Sequence, residues 1–478
     1  MTTKDSKGKA LVKNTLIVTI GKISTQIITF FLLPLYTYYL TTSEYGVVDL
    51  MSTLVSFLLP IITLQIEQGI FRFLIDYREK NEEIKKLVST SILFLIIQSL
   101  IIVVIFLIIS PLIHNDYKWF LLTNVVGCMF SSIFLQISRG LGDNLKYTIG
   151  SVVISGTTIL SNVIFIAGFK LGAYGMLTGT LLGYIAGILY IFFSKKIYNY
   201  ISFKTAQKKL FIELLKYSIP LVPTMLSWWI VNVSDRLIIT YFIGTSMNGI
   251  YSVANKFSSI ITMMYGIFNL TWTESAAINI DDEEIGVFFN EVFDKVIRIM
   301  GCLCVGMISF MPFVFTILVD QKFCLAYYQI PILIVACFFC NLSSFQGGIY
   351  IAKKKSKEVA KSTILAAIIN IIVNLLLIKK IGLYAASISS LIAYITIFVY
   401  RIFDLNKYQI KLKIERKILY AIVILLSLSL ICYYINNTFI CILNTLLIIV
   451  TMYNINKDLI FELFDALKKK ILKPKLSK

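Results

Sequence analysis

Thr42-Ser43-Glu44-Tyr45-Gly46 and Thr245-Ser246-Met247-Asn248-Gly249 each stand at the start of an apolar stretch, 203 positions apart. A second pair recurs at nearly the same interval: Lys170-Leu171-Gly172-Ala173-Tyr174-Gly175 and Lys380-Ile381-Gly382-Leu383-Tyr384-Ala385, offset by 210. Two independent recurrences at one long period mark an internal duplication, which outranks any single motif as a guide to architecture. Each copy spans six apolar stretches. Six is even, so both copies enter a membrane in the same sense, as parallel repeats related by a pseudo-two-fold along the membrane normal.

Polar residues follow the same duplication. Lys22, Thr25, Gln26 and Thr29 align with Asn232, Asp235 and Arg236, while Asp49, Ser52, Thr53 and Ser56 align with Ser252, Asn255, Lys256 and Ser259. Spacing of i, i+3, i+4 puts each set on one face of a helix. In so apolar a chain, such faces are expected to line something polar within the membrane.

The apolar content sets the class. Of 478 residues, 58% are hydrophobic and 15% charged, with a mean hydropathy of +0.82. Runs near 20 apolar residues are transmembrane helices. Fourteen are expected: 11–40, 46–71, 87–113, 119–139, 147–169, 172–193, 214–243, 247–272, 291–319, 326–351, 357–378, 382–402, 417–436 and 437–456. The expected fold is an all-α integral membrane protein of two pseudo-symmetric six-helix lobes plus two extra helices. Its parts are an N-lobe (1–193, helices 1–6), a cytoplasmic linker (194–213), a C-lobe (214–402, helices 7–12), helices 13 and 14 (403–456) and a cytoplasmic tail (457–478). The tail places Ile460, Leu463, Phe464, Leu467 and Ile471 on one face, against Lys468, Lys469 and Lys470, as an amphipathic helix on the inner surface would.

A net charge of +19 could suggest nucleic acid, but its distribution points elsewhere. With the amino terminus inside, 35 of the 45 Lys and Arg fall in cytoplasmic segments or at the inner ends of the helices beside them, including Lys195, Lys196, Lys204, Lys208 and Lys209, and Lys353, Lys354, Lys355 and Lys357. Outer loops hold Lys118, Lys170, Lys322, Lys379 and Lys380. This is the positive-inside pattern along the whole chain; both termini are expected to be cytoplasmic, and no nucleic-acid partner is expected. No short apolar core with a small-residue cleavage site opens the chain, so the first helix is expected to serve as its own insertion signal. Loop 273–290, with Asp281, Asp282, Glu283 and Glu284, is cytoplasmic by helix count.

Signals for catalysis are weak. The one histidine, His114, sits in a short outer loop. Cys337-Phe338-Phe339-Cys340 has C-x-x-C spacing but lies in an apolar helix, with no second pair to complete a zinc site and no βαβ pattern for redox chemistry. No phosphate loop, nucleophile set or metal cluster is visible. No catalytic residue, metal or cofactor is expected, and the chain reads as no enzyme.

Three cations lie deep in the apolar stretches. Lys22 is roughly 13 Å along its helix from the inner end, and Arg236 and Lys256 roughly 11–14 Å from the outer ends of theirs. Each would cost about 2.5–3.5 kcal/mol facing lipid, so water, an ion pair or an anionic ligand must compensate. Lys22 could snorkel inward. Asp235 could pair with Lys256, leaving Arg236 unmatched, since neighbours at i and i+1 do not face each other. Asp49 lies one turn from the outer surface. Below the stripes come Asn269, Trp272 and Glu274, and Thr63 and Glu67 after Pro60. Pro34, Pro60, Pro220 and Pro223 would permit bends in the stripe-bearing helices.

Asn232-Val233-Ser234-Asp235-Arg236-Leu237-Ile238-Ile239, followed by Gly249-Ile250-Tyr251-Ser252-Val253-Ala254-Asn255-Lys256, resembles the central segment of bacterial polysaccharide-unit flippases of the O-antigen and capsule type. Leu40–Gly46 is similar to their first loop and Gly382–Ser387 to their twelfth-helix start. These belong to the multidrug/oligosaccharidyl-lipid/polysaccharide exporter superfamily. The resemblance implies two six-helix lobes around a central, often cationic cavity that works by alternating access. Relatives that flip the peptidoglycan precursor carry two extra helices beside a lipid-tail groove, but line their cavity with several arginines, where this chain has Arg236 with Lys22 and Lys256.

The expected activity is flipping of a polyprenyl-diphosphate-linked oligosaccharide across the cytoplasmic membrane of a bacterium, for surface polysaccharide synthesis. Lys22, Arg236 and Lys256 would neutralise the diphosphate, with Arg suited to bidentate oxygens and Lys a mobile point charge. Thr25, Gln26, Ser52, Asn232, Asn255 and Asn269 would bond sugar hydroxyls. Trp228, Trp229, Tyr251 and Trp272 would stack on sugar faces. Asp49 or Asp235 would carry a coupling proton or cation. The expected partners are the lipid-linked oligosaccharide, membrane lipid, and the polymerase and glycosyltransferases of the same pathway. The rivals are a multidrug antiporter of the same fold, which would favour an acidic lumen; a peptidoglycan-precursor flippase; a polymerase or ligase, which usually needs a large outer loop; and a non-transporting scaffold.

Overall fold

A computed structural model describes residues 30–458, apart from 79, 281 and 283, together with residue 461. Lys22, Thr25, Gln26 and Thr29, Asp281 and Glu283, and all but three residues of the amphipathic stretch 457–472 lie outside the described residues. Among those described there are sixteen α-helices and no strand. In chain order they are α1 (Leu33–Tyr39), α2 (Thr42–Thr63), α3 (Ile66–Tyr77), α4 (Asn81–Ile109), α5 (Lys118–Gly140), α6 (Asn144–Asn162), α7 (Gly172–Ser194), α8 (Lys208–Ser218), α9 (Val222–Ile243), α10 (Thr245–Ile278), α11 (Ile285–Leu318), α12 (Leu325–Ala352), α13 (Ser356–Ile381), α14 (Tyr384–Asn406), α15 (Arg416–Ile435) and α16 (Thr438–Ile455). Eleven helices of the described residues are long and apolar enough to cross a membrane, which makes this a multi-pass membrane protein. The other three expected spans are 11–40, described only from residue 30; 214–243, which divides between the end of α8 and α9 with a turn at Ile219–Leu221; and 247–272, which lies within α10.

The chain divides into two compact units, residues 1–252 and 253–478, with the boundary inside α10. In the first unit, α2 begins with a reciprocal cap. Thr41 Oγ1 accepts from the Glu44 N–H at 3.1 Å, and Glu44 Oε2 accepts from the Thr41 N–H at 2.8 Å. Two orphan donors of the first turn are thereby satisfied, which fixes the helix start at Thr42 rather than Gly46.

The expected helix 46–71 is broken in two. Pro60 lies inside α2, and Leu64 and Gln65 follow with φ of 52° and 56°. Left-handed backbone at a non-glycine residue costs on the order of 1–2 kcal/mol. The break is nevertheless well bonded: Gln98 Nε2 donates to the Ile62 carbonyl at 2.9 Å, and the Gln65 N–H donates to Thr63 Oγ1 at 3.2 Å.

Beyond the break, α3 buries Ile66, Ile70 and Leu74 against α4 (Leu87, Ile92, Leu95), α5 (Met129, Ile133, Ile137) and α8 (Leu210, Leu214). Helices α6 and α7 pack through a glycine row at four-residue spacing, Gly179, Gly183 and Gly187. A Cβ at Gly179 would overlap Asn162, and one at Gly183 would overlap Thr158. Close backbone approach through small residues is the usual means of holding helices together in lipid. The outward face of α4, with Leu100, Val104, Leu107 and Ile108, stays exposed, as a lipid-facing surface would.

In the second unit, α15 and α16 pack against α11. Ser309 Oγ meets Thr445 Oγ1 at 2.8 Å and accepts from Asn444 Nδ2 at 3.2 Å. Tyr327 and Tyr433 stack 4.0 Å apart, each hydroxyl donating to the other's carbonyl at 3.1 and 2.6 Å. Arg401, 3% exposed, ties α14 to α12 and α13 by donating to the Ser343 carbonyl (2.6 Å), Ser362 Oγ (3.0 Å), Thr363 Oγ1 (3.2 Å) and the Val359 carbonyl (3.3 Å).

Candidate functional site: a crossing of repeated helix starts

The first turns of α2 and α10 cross within the first unit, and each uses its own copy of the repeated motif. A Cβ added at Gly46 would overlap the Thr245 carbonyl oxygen, and one added at Gly249 would overlap the Thr42 carbonyl oxygen. Only hydrogen fits at either position. Around the glycines, Thr42 Oγ1 meets Ser246 Oγ at 2.6 Å and Ser43 Oγ meets Thr245 Oγ1 at 2.9 Å. Under the 203-residue offset Thr42 maps to Thr245 and Ser43 to Ser246, so the two bonds exchange. The contacts obey a local two-fold.

Asp49 completes the crossing one turn further in. Its Oδ1 accepts from Ser252 Oγ at 2.7 Å and its Oδ2 from Asn248 Nδ2 at 3.3 Å. Asn248 Nδ2 also donates to the Gly46 carbonyl at 2.9 Å. Arg236 Nε on α9 lies 2.8 Å from Asp49 Oδ2, as an ion pair whose N–H is not aligned along that line. The two side chains are under one-fifth exposed. Charges so placed require each other: losing one partner leaves the other desolvated and uncompensated. Asp235, 3% exposed, accepts from Tyr251 OH at 3.1 Å. Further along the same helices, Trp229 Nε1 donates to Ser56 Oγ at 3.0 Å, with its ring 4.4 Å from that of Phe57. The cluster is a polar closure between helix ends, with one ion pair at its centre.

The expected site residues fall out as follows. Arg236 and Asp49 pair with each other, a pairing the sequence reading did not contain. Ser52 is exposed on the α2 face, and Asn255 and Lys256 are half-buried on α10. Asn255 Oδ1 accepts from Ser258 Oγ at 3.0 Å, and Asn269 Oδ1 from Tyr265 OH at 3.4 Å. Asn232 lies in α9. Trp272 belongs to the core of the second unit: it is 2% exposed, its ring stacks on Phe345 at 4.1 Å, and its Nε1 donates to the Phe345 carbonyl at 3.0 Å. With its N–H used and its face covered, it presents no surface to a sugar. Asn248 and Ser252 carry the crossing without having been singled out as ligands of Asp49. The signal was present, because both occupy repeat positions matching Tyr45 and Asp49. Among the described residues, no group of three or more His, Cys, Asp or Glu could hold a metal.

The sequence profile of the polysaccharide biosynthesis protein family matches residues 11–272, more than half of the chain and the whole of the crossing. An uncharacterized membrane protein of Methanocaldococcus jannaschii is 25% identical over 296 residues, covering 58% of this chain and 69% of that protein. Among solved structures, the lipid II flippase MurJ in an inward closed conformation superposes with a TM-score of 0.71 at 16% identity, covering 93% of this chain and all of that one. An inward-facing multidrug resistance MATE family transporter of the MOP superfamily gives 0.65 at 13% identity, covering 82% and 99%. These likenesses establish a shared helical fold. By the extent of the profile match, the chain belongs to the polysaccharide biosynthesis protein family.

Proposed function

We propose that the protein flips polyprenyl-diphosphate-linked oligosaccharide units across the cytoplasmic membrane by alternating access, with the crossing of α2 and α10 as its outer gate. The supporting observation is the Asp49–Arg236 pair, set where two repeat-related helix starts meet through glycine. A transporter needs closures that are complete when shut and reversible. Hydroxyl–hydroxyl contacts and one ion pair meet that need, because water replaces each of them when the helices part.

The pair also supplies a switch in charge. While the gate is shut, Asp49 neutralises Arg236. When the gate opens, Arg236 is released to join Lys22 and Lys256 in holding the diphosphate, and Thr25, Gln26, Ser52, Asn232, Asn255 and Asn269 take sugar hydroxyls. Asp49 thus acts as the competitor of the diphosphate for one guanidinium, and Asp235 holds Tyr251 in register beside it. The two lobes of the mechanism are residues 1–193 and 214–402, with both termini cytoplasmic. The resemblance to flippases and the family membership favour a phosphorylated lipid over a cationic drug.

Alanine replacement of Lys22, Arg236 and Lys256 one at a time tests the assignment. Loss of surface polysaccharide, with lipid-linked precursor accumulating on the inner leaflet, supports it. Full export by all three variants removes the diphosphate site. Normal polysaccharide with raised drug sensitivity replaces the reading with a multidrug antiporter.

A further inference from the structure

Glu67 lies in the first turn of α3, directly after the break at Leu64 and Gln65, and is 4% exposed. Its Oε2 is buried without a hydrogen-bond partner. No Lys or Arg of the described residues lies within 4.0 Å of its carboxyl oxygens. It is embedded among Ile66, Ile70 and the apolar core that α3 shares with α4, α5 and α8.

Several ionisable groups on these elements pair with each other, and no ion pair among the described residues reaches Glu67. On α4, Glu82 pairs with Lys85 at 3.2 Å and Glu83 with Lys86 at 2.7 Å. On α5, Arg139 rests 4.3 Å above the Phe71 ring, and the Cys128 thiol lies beside Tyr184 of α7. On α8, Tyr217 sets its ring against Phe73 at 6.1 Å, and Glu213 and Lys216 face neither Glu67 oxygen within bonding range. On α3 itself, Arg72 pairs with Asp76 at 2.6 Å, and on the following turn Arg78 Nε donates to the Gly140 carbonyl at 2.8 Å.

The unpartnered, buried Oε2 sets the form of Glu67, and the neighbouring hydroxyl of Thr63 accommodates it. Thr63 Oγ1 donates its one hydrogen to the Leu59 carbonyl at 2.9 Å and accepts from the Gln65 N–H at 3.2 Å. A threonine hydroxyl has one hydrogen and two lone pairs. With its hydrogen on the Leu59 carbonyl, Thr63 Oγ1 keeps a lone pair with which to accept from a carboxylic acid. A lone buried carboxylate is strongly disfavoured, whereas the acid is not.

We propose that Glu67 is a proton-binding site: in this conformation it holds a proton, and release of that proton to water opens the strained joint at 63–65. The O–H bond of the acid breaks, the proton leaves on water entering at the joint, and the new carboxylate must seek solvent or a cation. The two left-handed residues are held by the Gln98 and Thr63 bonds, so movement of Glu67 acts directly on a backbone already under strain. The proposal adds a driving ion to the transport reading, but its test needs no cargo, so the two can fail separately.

The test uses the full chain in lipid nanodiscs. Infrared difference spectra recorded as pH rises should show loss of a protonated-carboxyl C=O band that E67Q lacks. Hydrogen exchange of peptides covering 58–68 should quicken over the same pH interval in the wild-type chain, beyond the intrinsic change, and stay slow in E67Q, whose amide keeps the neutral shape. Absence of the band in the wild-type chain at neutral pH overturns the proposal, with no variant needed. So does identical pH dependence in E67Q, or an opening driven by sodium at fixed pH.

Discussion

Asp49 and Ser252 occupy the same position in the two copies of the duplication and are hydrogen-bonded to each other at 2.7 Å. A residue that bonds to its own repeat counterpart lies on the local symmetry axis. Here one copy has a carboxylate and the other a hydroxyl. The asymmetry has a physical reason: two carboxylates at that spacing would repel, whereas an acid and an alcohol bond, and the remaining charge is met by Arg236.

The pair should dominate the stability of the closed state. D49N leaves the Arg236 guanidinium desolvated and should cost about 3–5 kcal/mol. R236A in the same background should recover part of that loss. A double-mutant cycle on thermal unfolding of the purified protein measures the coupling, and additive effects would show that the two side chains do not depend on each other.

At the glycine crossing, G46A and G249A each force a methyl group onto a carbonyl oxygen of the opposing helix. Overpacking of this kind costs about 1–3 kcal/mol. Each variant should lower the melting temperature and increase labelling at the Thr42 and Ser246 positions, read with cysteine probes there. G266A, in open surroundings, is the control and should leave both unchanged.

The glycine row of α7 should be as intolerant. G183V places two methyl groups against Thr158 and the Ile154 carbonyl and should reduce the yield of folded protein in the membrane. G156V, on α6 with nothing within 4 Å, should express normally.

An acid-sensitive element lies at the turn between α5 and α6. Burial alone would push the Asp143 carboxyl up, but the Lys195 ammonium at 2.8 Å, the Lys146 N–H at 3.0 Å and the Lys146 charge hold it below its ordinary range. The folded carboxyl therefore ionises at lower pH than the unfolded one. Its contribution is complete above the unfolded value near ~4 and disappears as pH falls through the folded value. D143N should be less stable than the wild-type chain at neutral pH, and the difference should shrink under acid. A constant difference across that interval would exclude the mechanism.

Much of this was legible in the chain. The duplicated Thr-Ser motifs at 42 and 245 announced two equivalent helix starts, and hydropathy gave the all-helical membrane class. That the starts meet each other was not legible, because a repeat specifies equivalence and leaves contact open. Pro60 signalled a bend in this stretch, but Leu64 and Gln65 carry no turn signature, and the site of the break after Thr63 is held by Gln98 from another helix. The Asp49–Arg236 pair joins residues far apart in sequence, and periodicity on each helix cannot name a partner on another. Trp272 reads as an aromatic on a polar face, yet Phe345 and its carbonyl claim it.

The central claim is that the crossing of α2 and α10 must open for transport. Thr42 Oγ1 and Ser246 Oγ are 2.6 Å apart, so T42C and S246C together should form a disulfide on oxidation, identified by mass spectrometry of the linked peptides. The account predicts that lipid-linked oligosaccharide stops crossing the membrane when the bond forms, and resumes when it is reduced. Undiminished flipping in fully cross-linked protein would contradict it.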